Sequence, residues 1–277
     1  MLKKRALKRY TRQVLAIVEK NIFLELHVKG NLVSRFLNPI IQLIVLVFIF
    51  GAIFNINQNF TIGYWNATNY VLFLLIAFSI QFTKSITSKY YTLFIQEKYW
   101  KTLSAIMIAP VNRFVLLIGI LISELLMNSL PFLLLIITAL ILFPIPLYYL
   151  ILVMLVYFSI FIVFASIGLI LGALSISKEG IFQYFSLILR FIFLFSCINY
   201  PKEIFPEIIQ FFIITNPLYY FFDFLRLIWL LGMGDQSIYS LITLNHLIIV
   251  ISLTIITPLF SVLFFERIYK KYGITGY

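Results

Sequence analysis

Few side chains in this chain of 277 residues have types and spacings that could do chemistry. The two histidines, His27 and His246, lie in different segments with no acid three or four positions further on, and Cys197 is the single cysteine. A metal centre needs clustered His, Cys or acidic ligands, and a lone thiol among apolar neighbours behaves as a small hydrophobe. No glycine is followed by lysine, so the Gly-x-x-x-x-Gly-Lys-Ser/Thr nest that cradles phosphates is absent. The chain is therefore expected to bind no cofactor and no metal and to have no catalytic residue. Two charges do stand deep inside apolar runs, Glu124 and Arg190. Ionisable groups there are costly and turn toward protein or water. They could neutralise each other as a structural ion pair or lie on a substrate path, and Pro131, one to two turns beyond Glu124, is placed to bend the helix there.

The elements that position these charges follow from composition. Hydrophobic residues make up 62% and charged residues 11%, with a mean hydropathy of +1.05, against about 45–50% and 25% in soluble domains. That excludes a water-soluble globule and a disordered chain. The net charge of +11 sits beside long apolar runs, the pattern of a membrane protein with basic residues on the cytoplasmic side, so lipid headgroups rather than nucleic acid are the expected anionic partner. Runs long enough for a bilayer core of about 30 Å lie at residues 37–56, 114–143, 147–174, 181–200 and 244–265. A weaker one at 66–86 includes Gln81, Thr83 and Lys84. Charge parity favours it as a sixth span. With six, both termini fall inside and eighteen of the twenty-one Lys and Arg residues share the cytoplasmic side.

The remaining segments differ in kind. Residues 1–36 alternate basic and apolar at helical spacing, with Leu7, Tyr10, Val14 and Ile17 on one stripe and Lys4, Lys8 and Arg12 on another, as in a helix lying among headgroups. The segment 201–243 is mostly apolar but broken at Asn216-Pro217, which predicts an external pair of short helices, re-entrant or interfacial. Gly168 and Gly172 form a small-xxx-small face that permits close helix approach.

The loop from Ile95 to Arg113, with Glu97-Lys98, Trp100-Lys101-Thr102-Leu103 and Ala109-Pro110-Val111, resembles the cytoplasmic loop of ABC type-2 transporter permeases. Asn38-Pro39-Ile40, Phe205-Pro206 and Asn216-Pro217-Leu218, followed by Asp223 and Arg226, are similar to that family's other signatures. Lys101 stands where the family usually has glycine, and Ser104 where it often has a second acid.

The resemblance covers essentially all of 1–277 and implies one all-α integral membrane domain with six transmembrane helices, an N-terminal amphipathic interfacial helix and an external re-entrant helical hairpin. It implies an exporter permease, not an enzyme, in the plasma membrane. Residues 95–113 would engage a separate ATPase subunit that holds ATP and Mg, through Glu97, Lys98, Trp100, Lys101, Leu103, Pro110 and Arg113. A second permease copy, identical or a paralogue, would complete the path, and Phe205, Pro206, Asn216 and Pro217 would form an external gate. The cargo class that fits is hydrophobic, lipid-linked or drug-like. A polysaccharide-export permease, a membrane-integral lipid-modifying enzyme and a non-catalytic scaffold stay open as alternatives.

Overall fold

The computed structural model describes residues 2–27, 29–56, 61–101, 113–177 and 181–272. Within these, nine α-helices follow in order: α1 (Leu2–His27), α2 (Lys29–Ile56), α3 (Tyr70–Tyr99), α4 (Arg113–Leu142), α5 (Leu147–Ser177), α6 (Ile181–Leu194), α7 (Glu207–Thr215), α8 (Pro217–Gly232) and α9 (Leu244–Tyr272). Short 3-10 turns at Lys202–Ile204 and Gln236–Leu241 flank the α7–α8 pair.

By length and composition α2, α3, α4, α5 and α9 are each able to cross a bilayer. The run expected to continue to Tyr200 stops being helical at Leu194, so α6 has 14 residues and is about 21 Å long. The α7–α8 pair, bent by 92°, passes the same test when taken together and brings the possible crossings to six.

The weakest apolar run of the sequence, α3, lies at the centre of the bundle. It packs against α4 and α5; α9 packs along α5 and reaches α3 through Phe265 against Phe94, α8 touches α5 and α9, and α2 lies along α3. Position explains composition. α2 and α9 present most of their apolar side chains outward, where lipid tolerates only hydrocarbon, whereas α3 meets protein on most sides and can carry polar groups that find partners. Thr83 Oγ1 donates to its own helix at Ile80 O (2.7 Å), and Thr87 Oγ1 donates across to Phe164 O of α5 (3.3 Å). Gln81 Nε2 donates to Asn199 Oδ1 (2.6 Å), Ser85 Oγ accepts from Asn128 of α4 (3.0 Å), and Ser79 bonds Tyr157 of α5.

The small-residue face lies inside this subunit. A Cβ on Gly168 would stand 2.9 Å from the Thr87 carbonyl oxygen and 3.1 Å from its Cα, which are backbone atoms that cannot swing aside. At Gly172 the nearest atoms belong to the Phe94 ring, which can. Gly168→Val is therefore expected to force α3 and α5 apart and to cost about 1–3 kcal/mol by overpacking, read as a lower melting temperature of the detergent-purified protein. Gly172→Ala should cost less. Equal melting of Gly168→Val and wild type would show that α3 and α5 do not meet at this glycine.

α1 keeps the expected amphipathic character, and part of it is fastened to the bundle. Val18 and Asn21 are buried, Ile17 lies over Gly119 of α4, and Tyr10 and Val14 line a cleft with Val115 and Ile118. Gly119 has no side chain to hold α1 off, and Asn21 Nδ2 donates to Ser123 Oγ (3.3 Å).

Candidate functional site

The chemistry-bearing residues gather at the two ends of the bundle. At the hairpin end, Asn216 ends α7 with an extended backbone and caps α8. Its Oδ1 accepts from Leu218 N (3.1 Å) and its Nδ2 donates to Ile192 O of α6 (2.7 Å). Pro217 occupies the first helical position, where the missing N–H costs nothing. Pro206 stands one position earlier relative to α7, as the residue before its first turn, with ψ 153°. Gln210 Nε2 holds the Phe205 carbonyl (2.8 Å), and the Phe205 ring packs on a small cluster of Cys197, Ile213 and Tyr219. Phe205, Pro206, Asn216 and Pro217 thus build the two corners of one hairpin.

Behind this hairpin lies a buried charged cluster. On α8, Asp223 and Arg226 are three residues apart, and both are buried. Asp223 receives the Tyr64 hydroxyl on Oδ1 and lies 3.3 Å from His246 Nε2 of α9 on Oδ2. His246 Nδ1 faces Thr243 Oγ1 at 2.9 Å. Burial first, and then the Asp223 carboxylate, hold the Tyr64 phenol well above its usual pKa, so it stays a donor. Arg226 turns the other way. One terminal nitrogen donates to the carbonyls of Cys197 (2.9 Å) and Ile198 (2.5 Å), and the guanidinium lies 4.1 Å from the centre of the Phe73 ring. Cys197 has φ 55°, the left-handed region that a side chain seldom adopts. That turn after α6 aims successive carbonyls at the arginine. The lone cysteine is structural in its backbone, with its thiol buried.

At the opposite end α3 runs on to Tyr99, and Trp100 closes it by donating its backbone N–H to Gln96 O (2.9 Å). Tyr99 and Trp100 are 74% and 52% exposed, two large aromatics side by side at the surface of the described residues. Lys101 has φ 59°, a conformation natural to glycine. Glu97 does not face outward as the loop pattern suggested. It is buried, and its carboxylate meets Lys20 of α1. Lys98 is partly buried. Leu103, Pro110 and the rest of 102–112 lie outside the described residues, and Arg113 opens α4.

Glu124 and Arg190 are not brought together. The Glu124 carboxylate lies 3.6 Å from Lys89 Nζ and accepts from Asn128 Nδ2 (3.1 Å), and Lys89 also meets Glu25 of α1. Arg190 is exposed on α6 and lines a cavity with Lys84. The ion-pair alternative fails because Glu124 is turned to Lys89 and Asn128, whereas Arg190 stands with Lys84 along the cavity. Lys84 is also not at a helix end, since α3 continues for fifteen further residues to Tyr99.

The ABC-2 type transporter family matches this chain over residues 12–230. The chain belongs to that family. It is a multi-pass membrane permease of an ABC transporter, a class that works with an ATPase subunit. No curated protein matched it. The match runs from Arg12 in α1 to Leu230 in α8 and so includes Tyr64, Asp223, Arg226 and the end of α3, but not His246. Sequence reasoning about the permease missed Lys20, Glu25, Lys89, Tyr64 and His246 as members of these clusters. Asp223 and Arg226, two charges three apart in an apolar helix, were the legible signal of a buried site. Their partners come from segments more than a hundred residues away or across a loop, which periodicity does not register.

Proposed function

We propose that this permease is the membrane subunit of an ATP-driven exporter in the plasma membrane, both termini cytoplasmic, moving a hydrophobic, lipid-linked or drug-like substrate outward. ATP and Mg are held by a separate ATPase subunit, and a second permease copy completes the path. The observation that carries this reading is the end of α3. A helix of 30 residues is about 45 Å long, well beyond the hydrocarbon core, so its end carries the exposed Tyr99 and Trp100 out to where a soluble subunit can dock.

The coupling runs from the docked subunit through Trp100 and the 95–113 segment into α3, the central helix. Lys98, Lys101, Leu103, Pro110 and Arg113 complete the contact surface. Glu97 acts by tying α1 to the same helix end, so that α1 and α3 move together. Hydrolysis shifts the permease only through contacts that differ between nucleotide states of the ATPase. At the other end Phe205, Pro206, Asn216 and Pro217 form the external gate, held shut against the bundle by the buried cluster behind it.

The test is co-purification with an ABC ATPase subunit co-expressed with the permease. Trp100→Ala is expected to weaken association by about 2 kcal/mol, as for a buried aromatic at an interface, or roughly thirtyfold in Kd, with insertion and melting unchanged. Wild-type association in Trp100→Ala would remove the loop from the interface.

A further inference from the structure

We propose that the cavity between α3 and α6 binds the phosphate-bearing head of an anionic amphiphile, between Lys84 and Arg190, as the transported cargo. The inference rests on the exporter reading for the word cargo, and on the cavity alone for the binding. The cavity has a volume of about 420 Å³, within the range of small-molecule sites. Both cations line it, and among the described residues no acid does. Among the described residues neither pairs with a carboxylate, since the nearby acid of the apolar region, Glu124, faces Lys89.

Two uncompensated cations in a bilayer are expensive to maintain. Lys84 Nζ has only the face of the Phe193 ring, 4.3 Å from its centroid. The polar neighbours are already engaged. Gln81 bonds Asn199, Ser186 Oγ donates to Gln183 O (2.8 Å), and Ser85 and Ser88 donate to carbonyls of their own helix. The open donors are therefore the ammonium and the guanidinium. Arginine offers a planar fork that fits phosphate oxygens, and lysine adds a point charge. Two positive charges suit a phosphate better than a single carboxylate. Thr87 Oγ1 is likewise engaged, by Phe164 O, and the rest of the wall is Leu171, Leu189 and Phe193, which suits a hydrocarbon tail. The groove opens where Ser88 and Arg190 are exposed, so an amphiphile can enter sideways from the bilayer with its tail still in lipid.

The experiment uses the full chain in detergent and two fluorescent short-chain probes with identical tails, phosphatidylglycerol and phosphatidylcholine. The wild type is expected to bind the anionic probe at least tenfold more tightly. Lys84→Gln and Arg190→Gln should each reduce that preference severalfold, the double variant should abolish it, and Arg190→Lys should keep most of it. No preference in the wild type, or an undiminished preference in a double variant with wild-type melting, overturns the site. A second arm reconstitutes the permease with its ATPase in phosphatidylcholine vesicles with and without phosphatidylglycerol. Hydrolysis stimulated by the anionic lipid and lost in the double variant marks the head as cargo. Binding without stimulation marks a retained lipid and overturns the cargo assignment. If no ATPase associates at all, the exporter reading fails, while the detergent measurement still decides the site.

Discussion

Arg226→Met is expected to remove most of the folded permease from the membrane fraction. Arg226 is 2% exposed, and its two hydrogen bonds go to the carbonyls of Cys197 and Ile198, which the left-handed turn at Cys197 aims inward. Hydrogen bonds to a charged group contribute about 1.5–3 kcal/mol each. Methionine fills much of the volume over Phe73 but leaves both carbonyls buried without a donor, and Asp223 loses the nearest positive charge on its own helix. A loss of about 3 kcal/mol or more is decisive against a total stability of roughly 5–15 kcal/mol. Arg226→Lys keeps the charge but not the flat guanidinium that lies over Phe73 and places one nitrogen between the two carbonyls, so it should fall between. Size-exclusion profiles and melting in detergent measure this. A methionine variant with wild-type yield and melting would show that the turn after α6 holds itself.

Lys89→Met should be the second severe change, and its pattern of coupling identifies the network. Lys89 is the cation that faces both Glu25 of α1 and Glu124 of α4. Removing one partner of a buried pair costs about 3–5 kcal/mol, because the remaining charge is left in a medium that cannot solvate it. Glu124→Gln keeps the shape and the contact with Asn128 and lifts one of the two facing charges. Lys89→Met combined with Glu124→Gln should then be milder than the sum of the singles by about 0.5–3 kcal/mol. Glu124→Gln combined with Arg190→Met should be additive within about 0.5 kcal/mol, since the two sites share no partner. Strong coupling of Glu124 to Arg190, and none to Lys89, would require a different packing of α3, α4 and α6.

The class of the protein was legible in its residues, because class depends on quantities that add along the chain. Apolar length identifies the helices able to cross, Asn216-Pro217 breaks the hairpin where it bends, and Gly168 and Gly172 mark a close helix contact. These are local facts of hydrophobicity, backbone freedom and side-chain size. Charge partners are not local. Glu124 is satisfied by Lys89 rather than by Arg190, Glu97 turns inward to Lys20, and Asp223 collects Tyr64 and His246. In each case the partner depends on which helices are neighbours and how each is rotated, and apolar periodicity is nearly silent about that when both lipid and protein faces are hydrocarbon. The same reason explains why the least apolar span, α3, proved to be the centre of the bundle. A helix surrounded by protein is free to carry serine, threonine and lysine, whereas one that faces lipid must be apolar, so the run that looked weakest as a span is the one the tertiary structure needed most.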